Sequence, residues 1–136
     1  MTKYLIAYGA TAIVFLGIDF VWLAHVARRF YAAQLGDLLL DSPRLGAAAA
    51  FYLAYVAGIV FFAIGPALRA DSILTALLHG GLFGFFAYAT YDVTNYATLR
   101  NWPIAVVGVD IAWGTLLTAV SAAAGCWAAR FFYPGS

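Results

Sequence analysis

Charged side chains are scarce in this chain of 136 residues. They make up 10% of it, and because glutamate is missing altogether, all six acids are aspartates. Soluble domains carry about a quarter charged residues. Here 65% of the residues are hydrophobic and the mean hydropathy is +0.91, more apolar surface than a chain this short can hide from water. A water-soluble globular domain is thereby excluded. Seven basic residues against six acids provide no basic face, which excludes nucleic acid as a partner. A lone cysteine, Cys126, has no partner for a disulfide or a thiolate metal site and reads as a small apolar core residue. No HExxH, GxSxG, phosphate-loop or dinucleotide fingerprint occurs, so hydrolase and nucleotide-dependent chemistry have no motif behind them.

What is present is long apolar runs. The first, residues 4–27, follows Lys3 and has the basic start of a signal peptide. It is too long for one, because signal cores run about 7 to 15 residues, whereas about 20 residues at 1.5 Å each cross ~30 Å of hydrocarbon. Three more spans follow, at residues 45–65, 72–96 and 103–130. The expected fold is an all-α membrane protein: a single-domain, multi-pass bundle of four transmembrane helices. Between the first two spans, Phe30, Tyr31, Leu35, Leu38 and Leu39 alternate with Asp37 and Asp41. That pattern predicts a short amphipathic segment lying in the headgroup plane and ended by Ser42 and Pro43.

Helix punctuation and packing stripes are also legible. In the second span Gly46, Ala50, Ala54 and Gly58 recur every four residues and predict a face for close helix approach. The span holds no aspartate, lysine or arginine, so it reads as pure scaffold. Gly65 and Pro66 are expected to end it, with Asp71 or Ser72 capping the next helix. In the third span Gly80 and Gly84 form a GxxxG pair whose spacing continues onto Tyr88 and Asp92. The fourth carries Asp110, Gly114, Thr118, Ser121 and Gly125 on one face. Four spans place both termini on one side, with Lys3, Arg69 and Arg130 there against Arg28, Arg29, Arg44 and Arg100 opposite. The positive-inside rule leans toward the second group being cytoplasmic.

Aspartates inside apolar runs are the informative residues, since each costs ~2.5 to 3.5 kcal/mol at a helix centre and must face a partner or water. Asp19 lies nine residues before Arg28, Asp92 eight before Arg100 and Asp110 seven after Pro103. The helical rise puts all three about 10 to 14 Å inside the same membrane face. Gly17, Asp19 and Trp22 recur in spacing as Gly108, Asp110 and Trp113, a GxDxxW pattern that sets a carboxylate beside an indole on one helix face, the glycine permitting close approach. With no basic residue in the spans beyond His25 and His79, these acids must be protonated, hydrogen-bonded, hydrated or bound to a cation. The candidate ligand-binding or proton-carrying residues are Asp19, Trp22, Tyr88, Tyr91, Asp92, Asn95, Asp110 and Trp113, and the candidate packing residues are Gly80, Gly84, Gly108 and Gly114. Simple cross-linking of helices by these polar groups is the competing structural reading.

The strings GIDFVWL, AQLGDLL, FAYATYDVTNYATLRNWP and VDIAWGTLL resemble the bacterial membrane family DUF2177 over nearly the whole chain. The resemblance implies a four-helix protein of the bacterial inner (cytoplasmic) membrane, and it brings no activity, cofactor or catalytic residue with it. From the residues themselves the leading expectation is binding or transport of a small amphiphilic or cationic molecule, because carboxylates beside aromatic rings suit cations. The alternatives are an accessory or assembly subunit of a larger membrane complex, or a homodimer, and an enzyme acting on lipid or pigment through an aspartate acid or base. The two histidines lie at different depths, which disfavours a bis-histidine haem. A hard cation held by aspartates and Asn95 is an oxygen-ligand arrangement to be tested by geometry; no metal is expected.

Overall fold

The computed structural model describes residues 1–134, and all four expected spans lie within them. Five helices follow in chain order: α1 (Thr2–Val26), α2 (Arg28–Leu35), α3 (Leu45–Ala70), α4 (Ile73–Thr98) and α5 (Ile104–Phe132). Apart from α2, each is long and apolar enough to cross a membrane, and no strand occurs among the described residues. Helices suit such long, unalternating apolar runs, because the intra-segment ladder satisfies every backbone group in hydrocarbon. The threonine hydroxyls follow the same rule. Thr90, Thr98 and Thr115 donate to the carbonyls of Phe86, Thr94 and Ile111, four residues back, which keeps them satisfied on lipid-exposed or half-buried surface.

Helix α5 is the centre of the bundle, with its most extensive contacts to α4 and then to α1. Small residues make both approaches close. A Cβ on Gly80 would strike Ala122 and the Thr118 carbonyl, one on Gly84 would strike Gly114 and Thr118, and one on Gly114 would enter the ring of Tyr88. On the α1 side Gly125 lies against Thr11, Ile64 and the Ala7 carbonyl. The α5 stripe faces inward as read, with Gly114, Thr118, Ser121 and Gly125 buried and Asp110 half-buried. Cys126 is buried in the core. Large apolar side chains such as Ile13, Phe20, Phe61, Phe86 and Leu116 point outward, the distribution of a helix bundle solvated by lipid.

The second span differs from its sequence reading in two ways. Its stripe of Gly46, Ala50 and Ala54 is exposed, and only Gly58 meets a neighbour, the Phe83 ring. Packing uses another face, Tyr55, Val56, Ile59, Ala63, Ile64 and Ala67. The larger of these, Tyr55, Val56, Ile59 and Ile64, bury more apolar area per residue than the glycine and alanines of the outer stripe would. The helix also passes through Gly65 and Pro66 to Ala70. A wide π-type turn over Val60–Ile64 precedes the proline, and the Gly65 N–H reaches back to Val60. That loosened turn accommodates a ring that would clash in a regular helix. A second wide turn, Trp22–Val26, ends α1.

Residues 45–54 of α3 are exposed apart from half-buried Ala48 and Tyr52. This half of the helix leans away from the bundle, while Tyr8 of α1 ties it by donating to the Leu53 carbonyl at 2.9 Å. Ser72 caps α4 by accepting from the Thr75 N–H at 3.2 Å, and Asp71 precedes it in the left-handed region at φ 53°. The expected amphipathic segment is helical over Arg28–Leu35 and tightens to one 3-10 turn at Gly36–Leu38. Gly36, at φ 51°, ends the α-helical part because a side chain there would be strained.

Candidate functional site

Two tryptophans join α1 to α5. Trp22 and Trp113, the indoles of the two GxDxxW strings, stack with ring centroids 4.2 Å apart and planes 9° from parallel. Trp113 donates its indole N–H to Asp19 Oδ1 at 3.0 Å, so the pairing is crossed: the carboxylate of one copy is held by the indole of the other. Adjacent antiparallel helices bring two i, i+3 pairs face to face. The glycines of the strings do not serve that approach. Nothing lies within 4 Å of a Cβ placed on Gly17 or Gly108, which corrects the expectation that Gly108 is a packing residue. The stacked rings set the helix separation there, and the glycines sit on exposed surface beside them.

Asp110 is bonded from outside the spans. The hydroxyl of Tyr31, on α2, donates to Asp110 Oδ1 at 2.8 Å. Burial, opposed by the nearby Trp22 indole and reinforced by the Asp110 charge, holds the Tyr31 phenol above its ordinary range, so it stays a donor. Asp92 is fully buried at 0% exposure. Its carboxyl interacts with that of Asp110, yet neither of its oxygens reaches hydrogen-bond geometry with any group among the described residues. Tyr52 of α3 faces Asp19 and interacts with Asp110. A second layer, deeper in the bundle, pairs the hydroxyls of Tyr55 and Thr118 at 2.9 Å.

These groups enclose a small chamber of about 80 Å³ lined by Asp19, Trp22, Leu23, Tyr31, Tyr52, Tyr88, Asp110 and Trp113. A larger cleft of about 800 Å³ lies between the leaning half of α3 and the helices α4 and α5. Arg44, Phe51, Tyr55, Ala87 and Tyr91 line it, and it shares Tyr52, Tyr88 and Asp110 with the chamber. Phe51 and Tyr91 are 61% and 55% exposed, so the cleft opens sideways, toward lipid.

The structure therefore brings Asp19, Trp22, Tyr88, Asp110 and Trp113 to one chamber and sets Asp92 behind Asp110. Tyr91 belongs to the outer cleft, where its ring meets Trp102 edge-on at 5.7 Å. Asn95 lies beyond both, within reach of Tyr91. His25 and His79 are exposed. Among the described residues no three carboxyl, histidine or cysteine groups are placed together to hold a metal ion. Tyr31, Arg44, Phe51 and Tyr52 were not anticipated. For Tyr52 a signal existed: seven residues into its helix, its phenol lies about 10 Å deep, level with Asp110. Arg44 and Tyr31 belong to a segment whose fold-back depends on tertiary contacts.

A family model described as predicted membrane protein (DUF2177) matches residues 4–127. No curated protein and no solved structure matches the chain significantly. With so much of its length matched, the four-span helical architecture in place and the strings around Asp19, Asp92 and Asp110 within the matched region, the chain belongs to this family of predicted membrane proteins.

Proposed function

We propose that this protein binds or transports a small amphiphilic or cationic molecule that enters from the bilayer. The observation that carries the reading is the place of Asp110, on the boundary between the polar chamber and the lipid-open cleft. A molecule lying in the cleft would set its apolar body against Phe51, Tyr55 and Tyr88 and its donor end, an amine or hydroxyl, at Asp110. The cleft volume falls in the ordinary range of ligand sites, ~300 to 1,000 Å³, and its mix of apolar wall and few polar groups is the usual one. Aromatic faces beside the carboxyl add attraction for a cation. In hydrocarbon, a carboxyl loses most of its alternatives, so a donor brought to it is held more strongly than in water.

The test uses dodecylamine added to the protein in phosphatidylcholine nanodiscs, read by tryptophan fluorescence, since Trp22 and Trp113 wall the chamber. Saturable quenching is expected in the wild type. Asp110→Asn keeps size and hydrogen-bonding capacity but loses the charge, and should weaken the amine about tenfold or more, the scale of one charge-assisted contact. Equal affinity in wild type and Asp110→Asn would overturn the reading.

A further inference from the structure

The cleft has a second charged group that the reading above does not use. Arg44 immediately precedes α3 and lines the cleft's outer end. It is exposed and makes no ion pair among the described residues. Asp110 lies at the inner end of the same cleft. Tyr52, eight residues beyond Arg44, marks the level of Asp110, so the two charged groups are about 12 Å apart along the helix axis. An extended arginine side chain closes much of that distance. From headgroup level inward the cleft thus presents a guanidinium, then a carboxyl with the Phe51 ring at about its level, then the ring of Tyr55.

We infer that the ligand is a single-chain membrane lipid with a phosphate head group and a hydroxyl donor a few bonds toward its tail, a lysophospholipid. Each part has its counterpart in depth order. The phosphate meets Arg44, whose planar fork of donors suits phosphate oxygens. The hydroxyl meets the Asp110 carboxyl, which already accepts from Tyr31 at Oδ1. The acyl chain runs inward along the aromatic wall, in the direction that it takes in the bilayer. A cleft open sideways lets such a molecule enter without leaving the membrane, and its charges complement both ends of the site. A simple cation would leave Arg44 repelling it at the entrance. This assignment rests on the proposed binding site and names its occupant.

The experiment compares three probes in phosphatidylcholine nanodiscs: 1-acyl lysophosphatidic acid, hexadecyl phosphate, which lacks the hydroxyl, and dodecylamine. Wild type should bind the lysolipid most tightly. Arg44→Gln, at an exposed position that folding does not depend on, should weaken it about tenfold and leave the amine unchanged or tighter. Ala48→Phe, which sets a ring into the cleft that Ala48 lines, should weaken both the lysolipid and the amine. If the lysolipid binds no better than hexadecyl phosphate, or is indifferent to Arg44→Gln, the lipid assignment is overturned, while an Asp110-dependent amine response still supports the binding site. If neither probe responds to Asp110→Asn or Ala48→Phe, both fall together.

Discussion

Tyr31 is the residue on which the interfacial helix depends. Its hydroxyl is the one hydrogen bond from α2 to the Asp110 carboxyl, and the rest of α2 is mostly exposed. Tyr31→Phe keeps the ring and removes the bond, so a loss of about 1 kcal/mol in detergent or nanodisc stability is expected at neutral pH. The pH dependence has a definite sign. Because the phenol is held above its ordinary value in the folded protein, its contribution is fully present below about pH 10, the unfolded value. It is lost as pH rises above that, since the unfolded chain then ionises first. Thermal melts of wild type and Tyr31→Phe should differ by a constant gap between pH 7 and 9 and converge at higher pH. A gap that widens with alkaline pH would show that the bond is not the one described.

At the scale of helices, the glycines divide into two groups that look alike in sequence. Gly84 lies where a Cβ would strike the Gly114 carbonyl and the Thr118 side chain, and Gly108 lies where a Cβ would meet nothing. Gly84→Ala should therefore push α4 from α5 and cost about 1 to 3 kcal/mol, as overpacking does. Gly108→Ala should be neutral or stabilising by up to about 1 kcal/mol, because glycine is a poor helix former. Comparison of the two variants by thermal unfolding checks the packing directly. Equal destabilisation would mean that Gly108 is packed after all. The GxxxG spacing of Gly80 and Gly84 identified a close interface correctly, but the same logic misplaced the stripe of Gly46, Ala50 and Ala54. Spacing tells which residues share a face. It does not tell whether that face meets a helix or lipid.

For the whole molecule, four spans put residue 2 and residue 36 on opposite sides of the membrane. Single cysteines at Thr2 and Gly36, read with a membrane-impermeant maleimide, should label from opposite faces, and Cys126 contributes little background because it is buried. Labelling of both positions from one side would rule out the four-span topology. With four arginines beside the loops at Arg28, Arg29, Arg44 and Arg100 and three basic residues at the other end, Gly36 is the position expected to face the cytoplasm. An Asp71–Arg130 pair at 3.0 Å lies at the opposite end, where exposure leaves it little weight in stability.

Run lengths and the scarcity of charge were enough, by themselves, to settle the membrane, the helices and the number of spans, since the helical ladder satisfies every backbone group of such segments in hydrocarbon. That Asp19, Asp92 and Asp110 lie near one level of the bundle was legible too, because helical rise converts sequence offset into distance, and the structure brings Asp19 and Asp110 to one chamber with Asp92 against Asp110. Only tertiary structure decided which side chains meet them. The crossing of Trp113 onto Asp19 depends on how α1 and α5 are rotated about their axes, the entry of Tyr52 on the placement of α3, and the approach of Tyr31 on the bend at Ala27 between α1 and α2. Rotation and tilt are set by the sum of many small packing contacts between helices, none of which a single helix's periodicity contains. For that reason the chamber and its lateral cleft could not be read from the sequence, although the carboxyls at their boundary could.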